Sequence, residues 1–134
     1  MMYLLDTHII MWALLDHPYL PDKARELIGN NGNKIYYSTV SIWETEIKHI
    51  KKPDKIAISG ARLAFLCEQA GFINLEIKNK HVKEIGSIEP DDPSTVHNDP
   101  FDKMLLAQAR SEEMILITHD GKFTNYTDHH LLNC

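Results

Sequence analysis

Four acidic residues of the chain fall where one local pattern gives way to another, and their spacing suits chemistry on phosphate. Asp6 closes the apolar run Tyr3-Leu4-Leu5, and Asp120 comes after Ile115-Leu116-Ile117, behind Thr118 and His119. Glu44 lies in the first turns of a helical pattern that follows the second apolar run, and Asp102 in the first turn of the helical pattern that leads into the fourth. In an open α/β sheet the binding crevice lies beyond the carboxyl ends of the strands, so all four acids can converge on one rim. Two carboxylates ~4 Å apart repel by roughly 4 kcal/mol at an effective dielectric of about 20, so such a cluster needs counter-charge. Lys103 could offset one charge, but no Lys or Arg adjoins Asp6 or Asp120, which leaves a bound metal ion as the simpler answer. An oxygen-only donor set favours a hard ion, Mg²⁺ or Mn²⁺.

Each acid also has a plainer reading. Asp102 follows Asp99 by three residues with Pro100 between them, the pattern of a helix cap and an acid that complements the helix dipole. Ser41 and Glu44 match the Ser-x-x-Glu capping box. Asp120 precedes Gly121 and could be a turn residue. Asp6 resists such an account, because a carboxylate at the end of a buried strand is partly desolvated and needs a partner. Of the eight histidines, no two stand four apart on one helix with a third ligand nearby; His8, His97 and His119 merely flank the acids. Trp12 and Trp43 read as core or dimer packing, and Lys48, Lys51, Lys52 and Lys55 as a solvated helix C-terminus.

The elements that must hold these residues alternate. Apolar runs with strand character occur at Met2–Leu5, Ile35–Tyr37, Phe72–Ile77, Met114–Ile117 and Leu131–Leu132. Between them helices are predicted over Thr7–Leu15, from Pro21 as first helical residue to a stop at Gly29–Asn33, from Ser38 to Pro53, over Ser59–Gly71, over Asn79–Ile85, and from Asn98 through Ala109. The last is apolar on nearly every side and is expected to be buried on both faces. Short apolar strands alternating with helices define a doubly wound α/β fold with a parallel sheet.

At 134 residues, with 43% hydrophobic and 25% charged residues, the chain has the composition of one globular domain that needs no staple. No apolar run approaches the ~20 residues of a membrane span, so no membrane association is expected. Cys67 in an apolar helical stripe and Cys134 at a frayed end read as reduced thiols, and a cytoplasmic location is expected. The net charge of −5 argues against nucleic-acid binding through a broadly basic surface, but not against a nuclease whose carboxylates hold a cation.

Read together, Leu4-Leu5-Asp6-Thr7-His8 with Trp12, Ser41-Ile42-Trp43-Glu44 with Ile47 and Lys48, His97-Asn98-Asp99-Pro100-Phe101-Asp102-Lys103 with Leu105-Leu106-Ala107-Gln108-Ala109, and Thr118-His119-Asp120 resemble the PIN domain, and more closely the VapC-type toxins of bacterial toxin–antitoxin pairs. The resemblance implies a PIN-like three-layer α/β/α sandwich with a central five-stranded parallel sheet, residues 1–134 forming a single PIN-like ribonuclease domain. It implies a Mg²⁺-dependent endoribonuclease, with Mn²⁺ able to substitute, that cleaves RNA by metal-activated water, forms a homodimer and is inhibited by a cognate antitoxin. Asp6, Glu44, Asp102 and Asp120 correspond to its catalytic metal-binding acids, Asp99 to a helix cap that supports them, and Thr118 to the small hydroxyl residue that orients the last acid.

Two other readings stand beside it. A receiver-type phosphoacceptor domain also gathers acids at strand ends, but needs a lysine after its last strand, where this chain has His129-His130-Leu131-Leu132-Asn133-Cys134. A non-catalytic PIN-like binding module is expected to have lost at least one acid. A haloacid-dehalogenase-type phosphatase would require Asp at position 8, which is His8.

Overall fold

The computed structural model describes residues 1–94 and 99–134. His97, and Asn98 at the expected start of the last helix, therefore lie outside the described residues. The chain begins with β1 (Met2–Leu5), α1 (Thr7–Leu14), α2 (Asp22–Gly29), β2 (Lys34–Ser38) and α3 (Thr39–Lys51). It continues through α4 (Gly60–Gln69), β3 (Ile73–Leu75), α5 (Asn79–Ile85), α6 (Pro100–Ser111), β4 (Ile115–Thr118), a 3₁₀ turn (Gly121–Asn125) and β5 (Leu131–Asn133). The described strands form one parallel sheet in the order β3-β2-β1-β4-β5, with Leu4 opposite Tyr36 on one side and Leu116 on the other.

Strand alternation divides the core in two. Tyr3, Leu5, Ile35, Tyr37 and Ile117 point to the face covered by Ile9 and Ile10 of α1, Ala24 of α2, and Leu63 and Cys67 of α4. Leu4 and Leu116 point to the opposite face, beneath Leu105, Leu106 and Ala109 of α6. Helices on both faces of a parallel sheet make the expected three layers. As the periodicity predicts, α6 is buried around most of its circumference.

The differences from expectation have local causes. Among the described strands β3 pairs with β2 alone, and it is three residues long because β2 ends at Ser38, opposite Leu75. Pro21 is the cap of α2 and not its first helical residue; its extended ψ of 144° precedes the first turn, and its carbonyl accepts from Arg25 N–H at 3.0 Å. Cys134 is not frayed, since its N–H donates to Thr118 O at 2.9 Å and prolongs the β4–β5 ladder. The 3₁₀ turn after β4 was not foreseen; it buries Phe123 against the α6 side of the core.

Candidate metal centre

From the central strand β1 the chain moves outward through β2 and β3, then returns to the other side of β1 to lay down β4 and β5. The gap between the carboxyl ends of β1 and β4 is thus the topological switch point, where α/β sheets place their ligands. Asp6 is the first residue past β1 and caps α1, its Oδ1 accepting Thr7 N–H at 2.7 Å. Its Oδ2 accepts the Thr118 hydroxyl at 2.6 Å, and that hydroxyl in turn accepts Asp120 N–H at 3.0 Å. Thr118 therefore orders Asp6 through its carboxylate and Asp120 through its backbone.

Asp102 reaches the same place from α6. Asp99 is the N-cap, accepting from Phe101 N–H at 2.9 Å and Asp102 N–H at 3.2 Å. Since Asp99 does the capping, Asp102 can meet the acids on the sheet: one carboxylate oxygen each from Asp6, Asp102 and Asp120 lie within 4.8 Å of one another. Asp120 also caps the 3₁₀ turn through Lys122 N–H at 2.9 Å, so its turn role and its place in the cluster coexist.

Glu44 stands beside this trio and outside its closest grouping. The N-cap of α3 is Ser38, whose Oγ accepts Val40 N–H at 3.0 Å, so Ser41 and Glu44 are inside the helix and form no capping box. The buried Glu44 carboxylate accepts the Thr7 hydroxyl at 2.7 Å through Oε1 and Lys48 Nζ at 2.6 Å through Oε2. The cation offsetting a site acid here is Lys48, where the sequence pointed to Lys103. Thr7 was not singled out as a site residue, and Lys48, read as part of a solvated helix C-terminus, turns instead to the buried Glu44; the i,i+4 spacing of Glu44 and Lys48 is the signal that could have shown this.

The electrostatics show what the cluster lacks. Burial pushes the Asp6 carboxyl up, against hydrogen bonds from Thr118 and Thr7 that favour its ionised form. Asp102 is pushed up to about 8, first by burial and then by the negative charges of Asp6, Asp99, Asp120 and Glu44. Burial alone would lower the Lys48 ammonium, but Glu44, Asp99 and Asp102 outweigh it and raise it. A carboxyl that holds its proton near neutrality beside two other acids is short of positive charge, and its all-oxygen surroundings match a hard divalent cation. The residues present fit such an ion.

Around the rim, His8 stacks on Trp12 at 5.7 Å and His119 meets the same indole edge-on at 5.9 Å, so both exposed imidazoles lie on an aromatic patch next to Asp6 and Asp120. Trp12 is half-buried, as packing requires, but Trp43 is 56% exposed and touches the edge of Phe101, which removes it from the core.

A doubly wound sheet with acids converging on its switch point defines an α/β domain built around a metal-ready carboxylate cluster. The family profile described as PIN domain matches residues 3–128, and the chain belongs to the PIN domain family. Among solved structures, the chain is similar to VapBC2 from Rickettsia felis bound to a DNA fragment from their promoter, at 21% identity and a TM-score of 0.71, covering 99% of this chain and 98% of that one. It is also similar to VapBC-1 from nontypeable Haemophilus influenzae, at 18% identity and a TM-score of 0.66, with the same coverage. No curated protein matches its sequence. Among the described residues, no helix is long and apolar enough to cross a membrane.

Proposed function

We propose that the chain is a divalent-metal-dependent endoribonuclease acting as the toxin of a toxin–antitoxin pair. The observation that carries this reading is the convergence of Asp6, Asp102 and Asp120 at the switch point of a PIN-family sheet. The similarity in fold to VapBC proteins supports the toxin assignment and an antitoxin partner.

Asp6, Asp102 and Asp120 would hold Mg²⁺, or Mn²⁺ in its place, with Glu44 completing the acidic set. When bound, such an ion supplies Lewis acidity, neutralising charge on a phosphodiester and acidifying a water for in-line attack. The chain's own contribution is positioning. Thr118 and Thr7 hold the two oxygens of Asp6, Asp99 anchors the first turn of α6 so that Asp102 faces the sheet, and Lys48 fixes Glu44. Asp102 must give up its proton for the site to fill, so occupancy and deprotonation are linked. RNA and not a duplex surface is the proposed substrate, reached through a neutralised site and not through a basic face; the active form is proposed to be a homodimer.

Incubation of the purified protein with single-stranded RNA, with Mg²⁺ or with chelator, tests this reading. Cleavage is expected with Mg²⁺, lost with chelator, lost in Asp6→Asn and Asp120→Asn, and accompanied by 5′-phosphate ends. Cleavage that survives in both variants would overturn the site, and growth unaffected by expression of an RNA-cleaving protein would overturn the toxin role.

A further inference from the structure

A second group of ligating side chains lies at the other end of β4. The donor atoms of Glu113, His129 and His130 come within 4.8 Å of one another, and His130 O accepts from Leu116 N–H at 2.7 Å, which places the group near the start of β4, away from Thr118 and Asp120. Three features separate it from an ordinary surface ion pair.

The first is the backbone under Glu113. α6 ends in a closed turn in which Glu113 N–H donates to Arg110 O at 3.4 Å and Met114 N–H to Ala109 O at 2.8 Å, with Glu113 at φ 55°. Glycine normally takes this left-handed position, and another L-residue holds it only at a cost in stability. The Glu113 side chain is 79% exposed, so burial does not offset that cost. The second feature is His130, whose side chain is only 12% exposed and whose two ring nitrogens both face carboxylates: Nδ1 is 3.0 Å from Asp128 Oδ1 and Nε2 is 3.2 Å from Glu113 Oε2. Asp128 is itself fixed by Arg110 Nε at 3.2 Å. With a carboxylate at each ring nitrogen, His130 can either donate to both or give one N–H to Asp128 and turn the Nε2 lone pair toward an ion shared with Glu113. A carboxylate holding the far nitrogen is also the usual support for a metal-ligating histidine. The third feature is the His129 ring, which lies 3.9 Å from that of His130 and brings a second imidazole to the same point.

We propose that Glu113, His129 and His130 form a second cation site, for a borderline divalent transition-metal ion such as Zn²⁺. Two imidazoles and one carboxylate select such an ion over the hard ion that suits the carboxylate trio, and their exposure leaves a coordination position for water. Asp128 is the positioning residue, setting the His130 tautomer.

Calorimetric titration of Zn²⁺ into protein lacking a histidine tag, in excess Mg²⁺, tests the site. Wild type and Asp102→Asn are expected to bind one Zn²⁺ alike, whereas His129→Ala and Glu113→Gly lose at least ~10-fold in affinity and Asp128→Asn ~10–100-fold. Co²⁺ should give intense visible bands in wild type and Asp102→Asn but not in Glu113→Gly. Without metal, Glu113→Gly should melt higher than wild type, which shows that its lost binding is not lost folding. Unchanged Zn²⁺ affinity in Glu113→Gly and His129→Ala, Co²⁺ bands that vanish only in Asp102→Asn, or no Zn²⁺ binding by wild type would each overturn the proposal.

Discussion

Asp102 keeps its proton up to about pH 8 in the folded chain but loses it near 3.8 when unfolded, and that difference makes stability depend on pH. Below the lower value both states are protonated. Between the two values only the folded state holds the proton, so stability falls as pH rises through this window and levels off above the upper value. In chelator, the melting temperature of wild type should therefore drop from pH 5 to pH 8 more steeply than that of Asp102→Asn; parallel slopes would sink the account. Added Mg²⁺ or Mn²⁺ competes with the same proton, so its stabilising effect should be larger at pH 8 than at pH 6. Glu44 calls for a different test, because it caps nothing and its partners are Thr7 and Lys48. Glu44→Gln keeps the Thr7 hydrogen bond and loses the ion pair with a half-exposed lysine, so stability should change by less than about 1 kcal/mol. If Glu44 helps to hold the ion, RNA cleavage falls a hundredfold or more at that near-constant stability, and full turnover would confine it to packing. These two acids show why the candidate site was only partly legible. Asp6 and Asp120 stand at strand ends, which periodicity reveals. Ser41-x-x-Glu44 imitates a capping box whose true counterpart, Ser38, is set by where β2 stops.

Elements transmit the site's geometry through a few close approaches. Ser38, at the junction of β2 and α3, donates to Gln108 Oε1 at 2.5 Å, and Gln108 Nε2 donates to Glu76 O at 3.3 Å. A buried polar residue on α6 thus fixes the helix carrying Asp102 against the start of the helix carrying Glu44. On the other flank α4 packs on α3 at Gly60, where an added Cβ would meet Ile42 O at 2.8 Å and Glu46 Cβ at 3.0 Å. The first of these is backbone and cannot swing aside. Gly60→Ala should therefore destabilise by about 1–3 kcal/mol, as overpacking does. Gly29→Ala, where a Cβ meets nothing within 4 Å at the end of α2, should be neutral or slightly stabilising. Denaturant melts of the two variants check the contrast, and equal losses would mean that α3 and α4 can separate freely. Helix positions and the central strands were readable because their apolar periods are strong. The reach of β3 and the 3₁₀ turn were not, since both depend on where a neighbouring strand ends and on a place for Phe123 that only the assembled α6 layer provides.

For the whole molecule, a net charge of −5 and an acidic rim mean that the proposed RNA substrate would meet repulsion unless a cation filled the centre. An inhibitor can exploit the same charge. If the chain is a toxin, its antitoxin can silence the rim by inserting a cationic side chain, most economically Arg, whose planar fork matches carboxylate geometry. Asp120 is the acid such a group reaches most readily, being partly exposed where Asp6 and Asp102 are each 4% exposed. A largely apolar groove lined by Met11, Leu15, Ile56, Ile58 and Leu66, together with Lys55 and Arg62, would give the rest of such an antitoxin a surface for an amphipathic segment. Truncating one member of a buried interfacial charge pair typically costs roughly 2–5 kcal/mol, so Asp120→Asn should bind antitoxin at least ~10-fold more weakly. Asn at this position retains an oxygen for Lys122 N–H, so the 3₁₀ turn, and with it the fold, is preserved. Leu15→Asp should weaken the same complex through the groove while leaving RNA cleavage intact, because Leu15 lies outside the acidic cluster. Calorimetric titration of antitoxin into the two variants separates the contributions. Wild-type affinity in Asp120→Asn with a loss in Leu15→Asp would place inhibition on the groove alone, and wild-type affinity in both would move the antitoxin to another face of the molecule.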